Sequence, residues 1–420
     1  MDYQKVNSRN EGANPLKEFH GTPINICHPI MGVITTKTIR LPQKHQILLL
    51  KPPSNHFKKR LSILKYHGSP ECYIFPAGLD FNIPSEYPAI KEVSIESCST
   101  LKDGDIVLID PSGKIALIYN VSSDDNAILV TNRCNCSCLM CPQPPGKDSE
   151  IYFEQNLLLI SLMKDKKGAH LGITGGEPTI LESKLFNIIE MCKKYLPKTT
   201  LTLLTNGKKL QDFEFTKELA SSGWPNLRFE IPLYADNDTE HDEIMGIAGS
   251  FYETMEGLHN LALLKQPVGL RTVLHSLTIE RLVQFSEFVY RNLPFVFQVA
   301  LMGMETTGKA KDNLNSLWID PFDYRDKLSA AVYHLHRRKI PVSIYNHQLC
   351  LLPYDLWRFA RRSISYWKET YLPQCKDCYL KNNCCGIFGT GDKNSAYIRP
   401  IFENDVPEEW RCLSNHYREQ

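Results

Sequence analysis

The chain has 420 residues, 42% of them apolar and 23% charged, with 48 Lys and Arg against 47 Asp and Glu. A net charge of +1 supplies no basic surface for nucleic acid, and no apolar run approaches the roughly eighteen residues of a membrane span. The amino terminus MDYQKVNSRNEGANPLKEF is polar and lacks the apolar segment of an export signal, and many of the 14 cysteines fall in short-spaced groups rather than a disulfide framework. Composition therefore predicts a cytoplasmic enzyme of two or three domains.

Residues 1–125 carry short apolar runs, HQILLLK, CYIFPAG, DIVLID and KIALIYNV, broken by turns at Asp103-Gly104 and Ser112-Gly113, and predict a small β domain. Cys27, Cys72 and Cys98 lie there singly and read as buried apolar side chains. From 126 to 340 the pattern becomes strand and helix in alternation. AILVT, HLGIT, LTLLT, RFEIPLY, GLRTVLH and FQVALM are each followed by a stretch of helical period. Six such units predict an α/β fold, a partial parallel (β/α)6 TIM-like barrel whose working loops lie at the carboxyl ends of the strands.

The loop after the first of these strands is TNRCNCSCLMCPQPP. Cys134, Cys138 and Cys141 supply three thiolates, one short of closing a tetrahedral site or a four-iron cluster, so one corner is left for a non-protein ligand. Cys136 is a fourth thiol that would turn the loop into a structural zinc site. After the second strand comes Gly175-Gly176-Glu177-Pro178, where paired glycines allow close approach of backbone to a ligand, and after the third come Asn206 and Gly207. Alternation on the fifth strand turns Leu270, Thr272 and Leu274 toward the helices and Arg271, Val273 and His275 into the barrel. An inward Arg271 needs a partner: a cofactor carboxylate, a substrate carboxylate or a carboxylate of the barrel. DNDTEHDEIMGIAGSF after the fourth strand reads as a capped loop with Ser250 as the cap. In the last segment, 341–420, Cys350, Cys375, Cys378 and Cys384 make a complete four-thiolate set for zinc or a four-iron cluster, with Cys385 competing for the fourth place. Cys192 and Cys412 read as ordinary thiols.

The three-cysteine loop, GITGGEPT and LTLLTNG, in that order, resemble the radical S-adenosylmethionine (SAM) enzymes. The resemblance implies a [4Fe-4S] cluster on Cys134, Cys138 and Cys141 whose open iron is taken by the amino and carboxylate groups of SAM, and electron transfer to the sulfonium that yields a 5′-deoxyadenosyl radical. It implies further cofactor contacts at Gly175, Gly176, Glu177, near the SAM ammonium, and Asn206, with Arg271 a candidate for the carboxylate. Met140 stands where relatives carry an aromatic residue, and Pro232-Leu233-Tyr234 where many carry Ser at the strand end. His241, Asp242, Gly246 and Gly249 resemble a segment of peptide-modifying members. The carboxyl-terminal cysteines resemble the Twitch extension, a short form of the SPASM domain, which implies an auxiliary [4Fe-4S] cluster rather than zinc. VALMGMETTGKA and SIYNHQLCLLP resemble the HxsC type of His-Xaa-Ser system maturase. That likeness implies a bacterial enzyme that modifies a ribosomally made precursor peptide, beginning with hydrogen abstraction and ending in a product such as a cross-link. It also implies a second radical maturase as heterodimer partner, a small accessory protein, and a reductant such as flavodoxin or ferredoxin. Two alternatives stand beside it, a radical SAM enzyme of small-molecule metabolism and a non-catalytic iron-sulfur subunit that presents peptide to a partner.

Overall fold

The computed structural model describes residues 17–36, 44–50, 70–78, 87–147, 151–164, 166, 168, 170–222, 225, 227–365 and 368–413. The polar amino-terminal stretch through Leu16, Tyr366 and Trp367, and the Cys412 side chain lie outside what is described. No described helix is long and apolar enough to cross a membrane.

The amino-terminal runs form one mixed sheet of eight strands in the order β1-β8-β7-β3-β4-β5-β6-β2. They are β1 (Glu18–His20), β2 (Thr22–Ile24), β3 (Ile30–Thr35), β4 (Gln46–Leu49), β5 (Cys72–Pro76), β6 (Ala89–Val93), β7 (Ile106–Ile109) and β8 (Lys114–Tyr119). Strands β3 to β6 pair in parallel and the rest antiparallel. Ile34, Ile47, Ile74, Ile90 and Ile109 are buried in its core with Cys72 and Cys98. Helix α1 (Ile95–Thr100) is capped by the Ser94 hydroxyl, which accepts the Ser97 N–H at 3.1 Å. Cys27 departs from expectation: it is exposed, in the irregular segment after β2.

The second sheet contains eight parallel strands in sequential order, β9 (Asp125–Leu129), β10 (His170–Thr174), β11 (Thr200–Leu204), β12 (Leu227–Pro232), β13 (Val268–Leu274), β14 (Gln298–Gly303), β15 (Val342–Tyr345) and β16 (Ala360–Arg361). The fold is the α/β partial barrel expected, and six strand-helix units build it. Two further strands extend the sheet beyond the six. They hold four and two residues, too short to show a period.

Alternate residues of each strand face the helices. Leu171 and Ile173, Leu201 and Leu203, Phe229 and Ile231, and Leu270 and Leu274 are buried against them. Each such side chain contributes about 1.5–3 kcal/mol on burial. The covering helices include α2 (Ile151–Leu162), α3 (Ser183–Tyr195) and α4 (Phe213–Ser221), with Leu185, Ile188, Ile189 and Cys192 on the buried stripe of α3. The segment read as a capped loop after β12 instead contains helix α5 (Asp238–Met245), because Asn237 caps its start through the Glu240 N–H and Gly246, left-handed at φ 67°, ends it. Helix α6 (Ser250–Leu263) follows. Its start is capped by Asp242 rather than Ser250: the Asp242 carboxylate accepts from the Gly249 and Phe251 N–H groups and from the Ser250 hydroxyl, at 2.5, 2.8 and 2.7 Å.

Candidate functional site

The chain leaves β9 through Val130 and Thr131 and enters the cysteine loop at Arg133. The Gly-Gly-Glu-Pro turn after β10 lies flat against this entry. Gly176 N–H donates to the Thr131 carbonyl and Glu177 N–H to the Arg133 carbonyl, both at 2.8 Å. Added β-carbons would stand 2.6 Å from Thr131 O at Gly175 and 2.2 Å from Arg133 O at Gly176. The two glycines therefore admit the backbone of residues 131–133, and the close approach expected toward a ligand is made first of all toward the base of the cysteine loop.

Glu177 is fully buried. One carboxylate oxygen accepts the Thr179 N–H at 2.9 Å and the Thr179 and Thr205 hydroxyls at 2.6 Å each, and the other accepts the Asn206 N–H at 2.5 Å. Burial pushes its carboxyl up, and these four donors oppose the shift. Its role in this arrangement is to bridge the turns after β10 and β11. Asn206 carries the bridge to the cysteines: its amide nitrogen donates to Asn135 Oδ1 at 2.7 Å and reaches Cys136 Sγ at 3.2 Å.

That contact separates Cys136, which is buried, from Cys134, Cys138 and Cys141, which are half-buried. The Cys136 thiol holds its neighbour Cys134 down to about 7, while burial pushes Cys138 up to about 12 and also raises Cys141. The far side of the loop rests on the end of α5. Ser137 N–H donates to Met245 O at 3.0 Å and Leu139 N–H to Ile244 O at 2.9 Å, and a side chain at Gly246 would strike Ser137 O at 2.5 Å. Met140 is buried with Ile244, Ala310 and Leu317 in a small apolar cluster. His241 is fully buried beneath the same region, between the rings of Tyr234 and Phe251, with its Nδ1 accepting the Tyr234 N–H at 3.3 Å. It is packing rather than an exposed acid or base.

On β13, Leu270, Thr272 and Leu274 are buried and Arg271 and Val273 are half-exposed, as alternation requires. Arg271 stands beside Met302, its Nε 3.4 Å from the sulfur, and its charge draws down Glu230, which burial raises. The Glu230 carboxylate lies over Gly269, whose missing side chain leaves it room, and accepts the Gln298 amide at 3.2 Å. His275 closes the strand fully buried, with no partner among the described residues on either ring nitrogen, and burial holds it down to about 4.

Cys350, Cys375, Cys378 and Cys384 line one cavity in the carboxyl-terminal segment, with about 390 Å³ of empty space, its mouth included. Leu349, Leu380, Ile387, Ile398 and Ile401 form the apolar part of its wall, and Lys381 and Arg399 also line it. Cys385 turns away and donates its thiol to the His347 carbonyl at 3.1 Å. Among the described residues no three Cys, His, Asp or Glu side chains converge on a point that would hold a single metal ion. The four thiols of the carboxyl-terminal group line a cavity instead. Sequence reasoning missed the Asn206–Cys136 contact and the seat of the loop on α5, because these partners lie 70 or more residues apart.

Residues 128–289 match the family model of the Radical SAM superfamily. The GTP 3′,8-cyclase of Campylobacter jejuni strain RM1221 is 30% identical over 167 residues, 38% of this chain and 50% of that protein. The GTP 3′,8-cyclase of Petrotoga mobilis is 26% identical over 145 residues, 33% of this chain and 43% of that one. The chain spans about half the length of the curated relatives it matches. Among solved structures it is similar to Streptococcus suis SuiB, at 16% identity and TM-score 0.44 over 63% of this chain and 57% of that one. It is also similar to anSMEcpe with bound AdoMet and Kp18Cys peptide, at 16% identity and TM-score 0.42 over 52% and 63%. The matched span takes in the end of β9, the cysteine loop and the turns after β10 and β11, so residues 128–289 form a radical SAM superfamily domain.

Proposed function

We propose that this protein is a radical SAM maturase that modifies a ribosomally made peptide. The three thiols left after Asn206 engages Cys136 fit a [4Fe-4S] cluster with one open iron, held by Cys134, Cys138 and Cys141. When bound, the cluster and SAM supply a 5′-deoxyadenosyl radical for hydrogen abstraction. The chain's part is to fix the loop between the Gly-Gly-Glu-Pro turn and α5, to exclude water with Met140 and its apolar neighbours, and to offer Arg271 to a carboxylate on the concave face.

The observation that carries the peptide reading is the second cysteine cavity, which supports an auxiliary cluster of the Twitch type. Zinc draws four thiolates to within about 2.3 Å of one point, whereas the four irons of a cluster hold them apart around a volume. Thiols surrounding a cavity suit the latter. Tyr354, Tyr379, Tyr397 and Phe402 of the same segment are exposed, which suits an extended chain as ligand. A small-molecule reading is favoured by the GTP 3′,8-cyclase relatives, and a nucleotide is its natural test substrate. Coexpression with a His-Xaa-Ser precursor and the partner maturase, followed by mass spectrometry, should give a product lighter by lost hydrogen. Turnover of GTP with the precursor unchanged would decide for the small-molecule reading.

A further inference from the structure

The second half of the VALMGMETTGKA motif forms a strap between the three-cysteine loop and the carboxyl-terminal segment. Beyond β14 the chain turns through Gly308 into helix α7 (Lys309–Asp312). Gly308 is left-handed at φ 57°, and a β-carbon there would lie 2.6 Å from both the Cys141 and Pro142 carbonyls. Only glycine lets the strap approach so closely. Lys309 N–H donates to Cys141 O at 2.9 Å. The Lys309 ammonium donates to the Ser137 hydroxyl and to Ser137 O at 3.3 Å, and the Asn313 amide donates to Leu139 O at 2.8 Å. Three carbonyls of the loop, at Ser137, Leu139 and Cys141, are thus held from one short segment.

The opposite face of the strap is anchored in the carboxyl-terminal segment. Glu305 accepts from Lys368 at 2.8 and 2.9 Å and from Thr390 at 2.6 Å, and Thr306 Oγ1 accepts the Lys393 N–H at 3.0 Å. Lys311 pairs with Asp392 at 2.6 Å. The strap is therefore fixed at both ends, and its lysine is placed rather than free to swing.

We propose that Lys309 is a positioning residue for the three-cysteine loop, presenting a fixed cation beside Cys138 and Cys141 that sets the reduction potential of the group those cysteines hold. This rests on the reading of Cys134, Cys138 and Cys141 as cluster ligands. A cluster becomes more negative on reduction, so a nearby cation favours the reduced form, and local charge and hydrogen bonding are among the factors that set cluster potentials. Lys309 donates to Ser137 between the cysteines, and its backbone binds the Cys141 carbonyl. It is half-buried, so solvent screens it less than a free surface lysine.

The test is an anaerobic redox titration of reconstituted protein, followed by the electron spin resonance of the reduced cluster, on wild type, Lys309→Met and Lys309→Arg. Methionine keeps the apolar stem without the charge, and arginine keeps the charge. The midpoint of Lys309→Met should move to more negative potential with iron content unchanged, and that of Lys309→Arg should stay with wild type. An unchanged Lys309→Met midpoint, or an equal shift in both variants, would overturn the proposal. A wild type that takes up no iron would instead refute the ligand reading beneath it.

Discussion

Gly176→Ala is the sharpest test of how the cysteine loop is held. The new β-carbon would lie 2.2 Å from the Arg133 carbonyl oxygen, 2.6 Å from its carbon and 3.0 Å from Asn132 O, all backbone atoms that no side-chain rotation can clear. Residues 131–133 would have to retreat by roughly 1 Å to reach ordinary contact. That movement strains the two bonds at 2.8 Å, from Gly176 N–H to Thr131 O and from Glu177 N–H to Arg133 O. Two backbone bonds at about 1 kcal/mol each and overpacking of about 1–3 kcal/mol give a local cost of about 3–5 kcal/mol. Cys134 is the next residue, so a cost of about 3 kcal/mol lowers the population of the ordered loop more than a hundredfold. Iron per chain after anaerobic reconstitution should fall from about eight to about four, the second site being untouched. Gly249→Ala is the control: its β-carbon would meet nothing within 4 Å among the described residues, so it bears the backbone strain of φ 81° and should keep its iron. Full iron in Gly176→Ala would refute the claim that this contact holds the loop.

Three further outcomes follow from the geometry. Cys384→Ala should lose the carboxyl-terminal iron while Cys385→Ala keeps it, because Cys384 lines the cavity and Cys385 binds the His347 carbonyl; equal iron in the two variants, read by metal analysis, would contradict this. His241, His275 and His347 are each held by burial at about 4 in the folded protein, against an unfolded value of about 6.5. Their contribution is complete above about pH 6.5 and is lost as pH falls toward 4, because the unfolded chain takes up protons that the native one refuses, at about 3 kcal/mol for each histidine. Urea unfolding should therefore show a lower midpoint at pH 5 than at pH 7, and equal midpoints would contradict it. Lys368→Met leaves Glu305 charged and largely buried, and should destabilise by about 3 kcal/mol or more in equilibrium unfolding; a neutral effect would show that the strap is not anchored by this pair.

The parts of this protein legible from sequence are those written in contiguous residues. Each strand and each helix of the six units, the Cys134 to Cys141 spacing and the Gly-Gly-Glu-Pro and Thr-Asn-Gly turns occupies fewer than 20 residues. What binds them together is not contiguous. Glu177 accepts from Thr205 and Asn206 across 28 and 29 positions, Asn206 meets Cys136 across 70, and Lys309 meets Ser137 across 172. No periodicity encodes such pairs. Glu177 shows the consequence: two of its four donors, Thr205 and Asn206, come from outside its own motif. Strand β16 and helix α5 went unread for a different reason. Two residues carry no period, and half of the eight residues of α5 are carboxylates, so only the Asn237 cap and the Gly246 terminator mark a helix there.

The central claim is that Cys134, Cys138 and Cys141 support SAM chemistry in this chain. Its most direct test is the formation of 5′-deoxyadenosine from SAM under reducing, anaerobic conditions, measured by chromatography for wild type and Cys138→Ala at matched protein concentration. The account predicts product from wild type and none from Cys138→Ala. Equal product from both would contradict it.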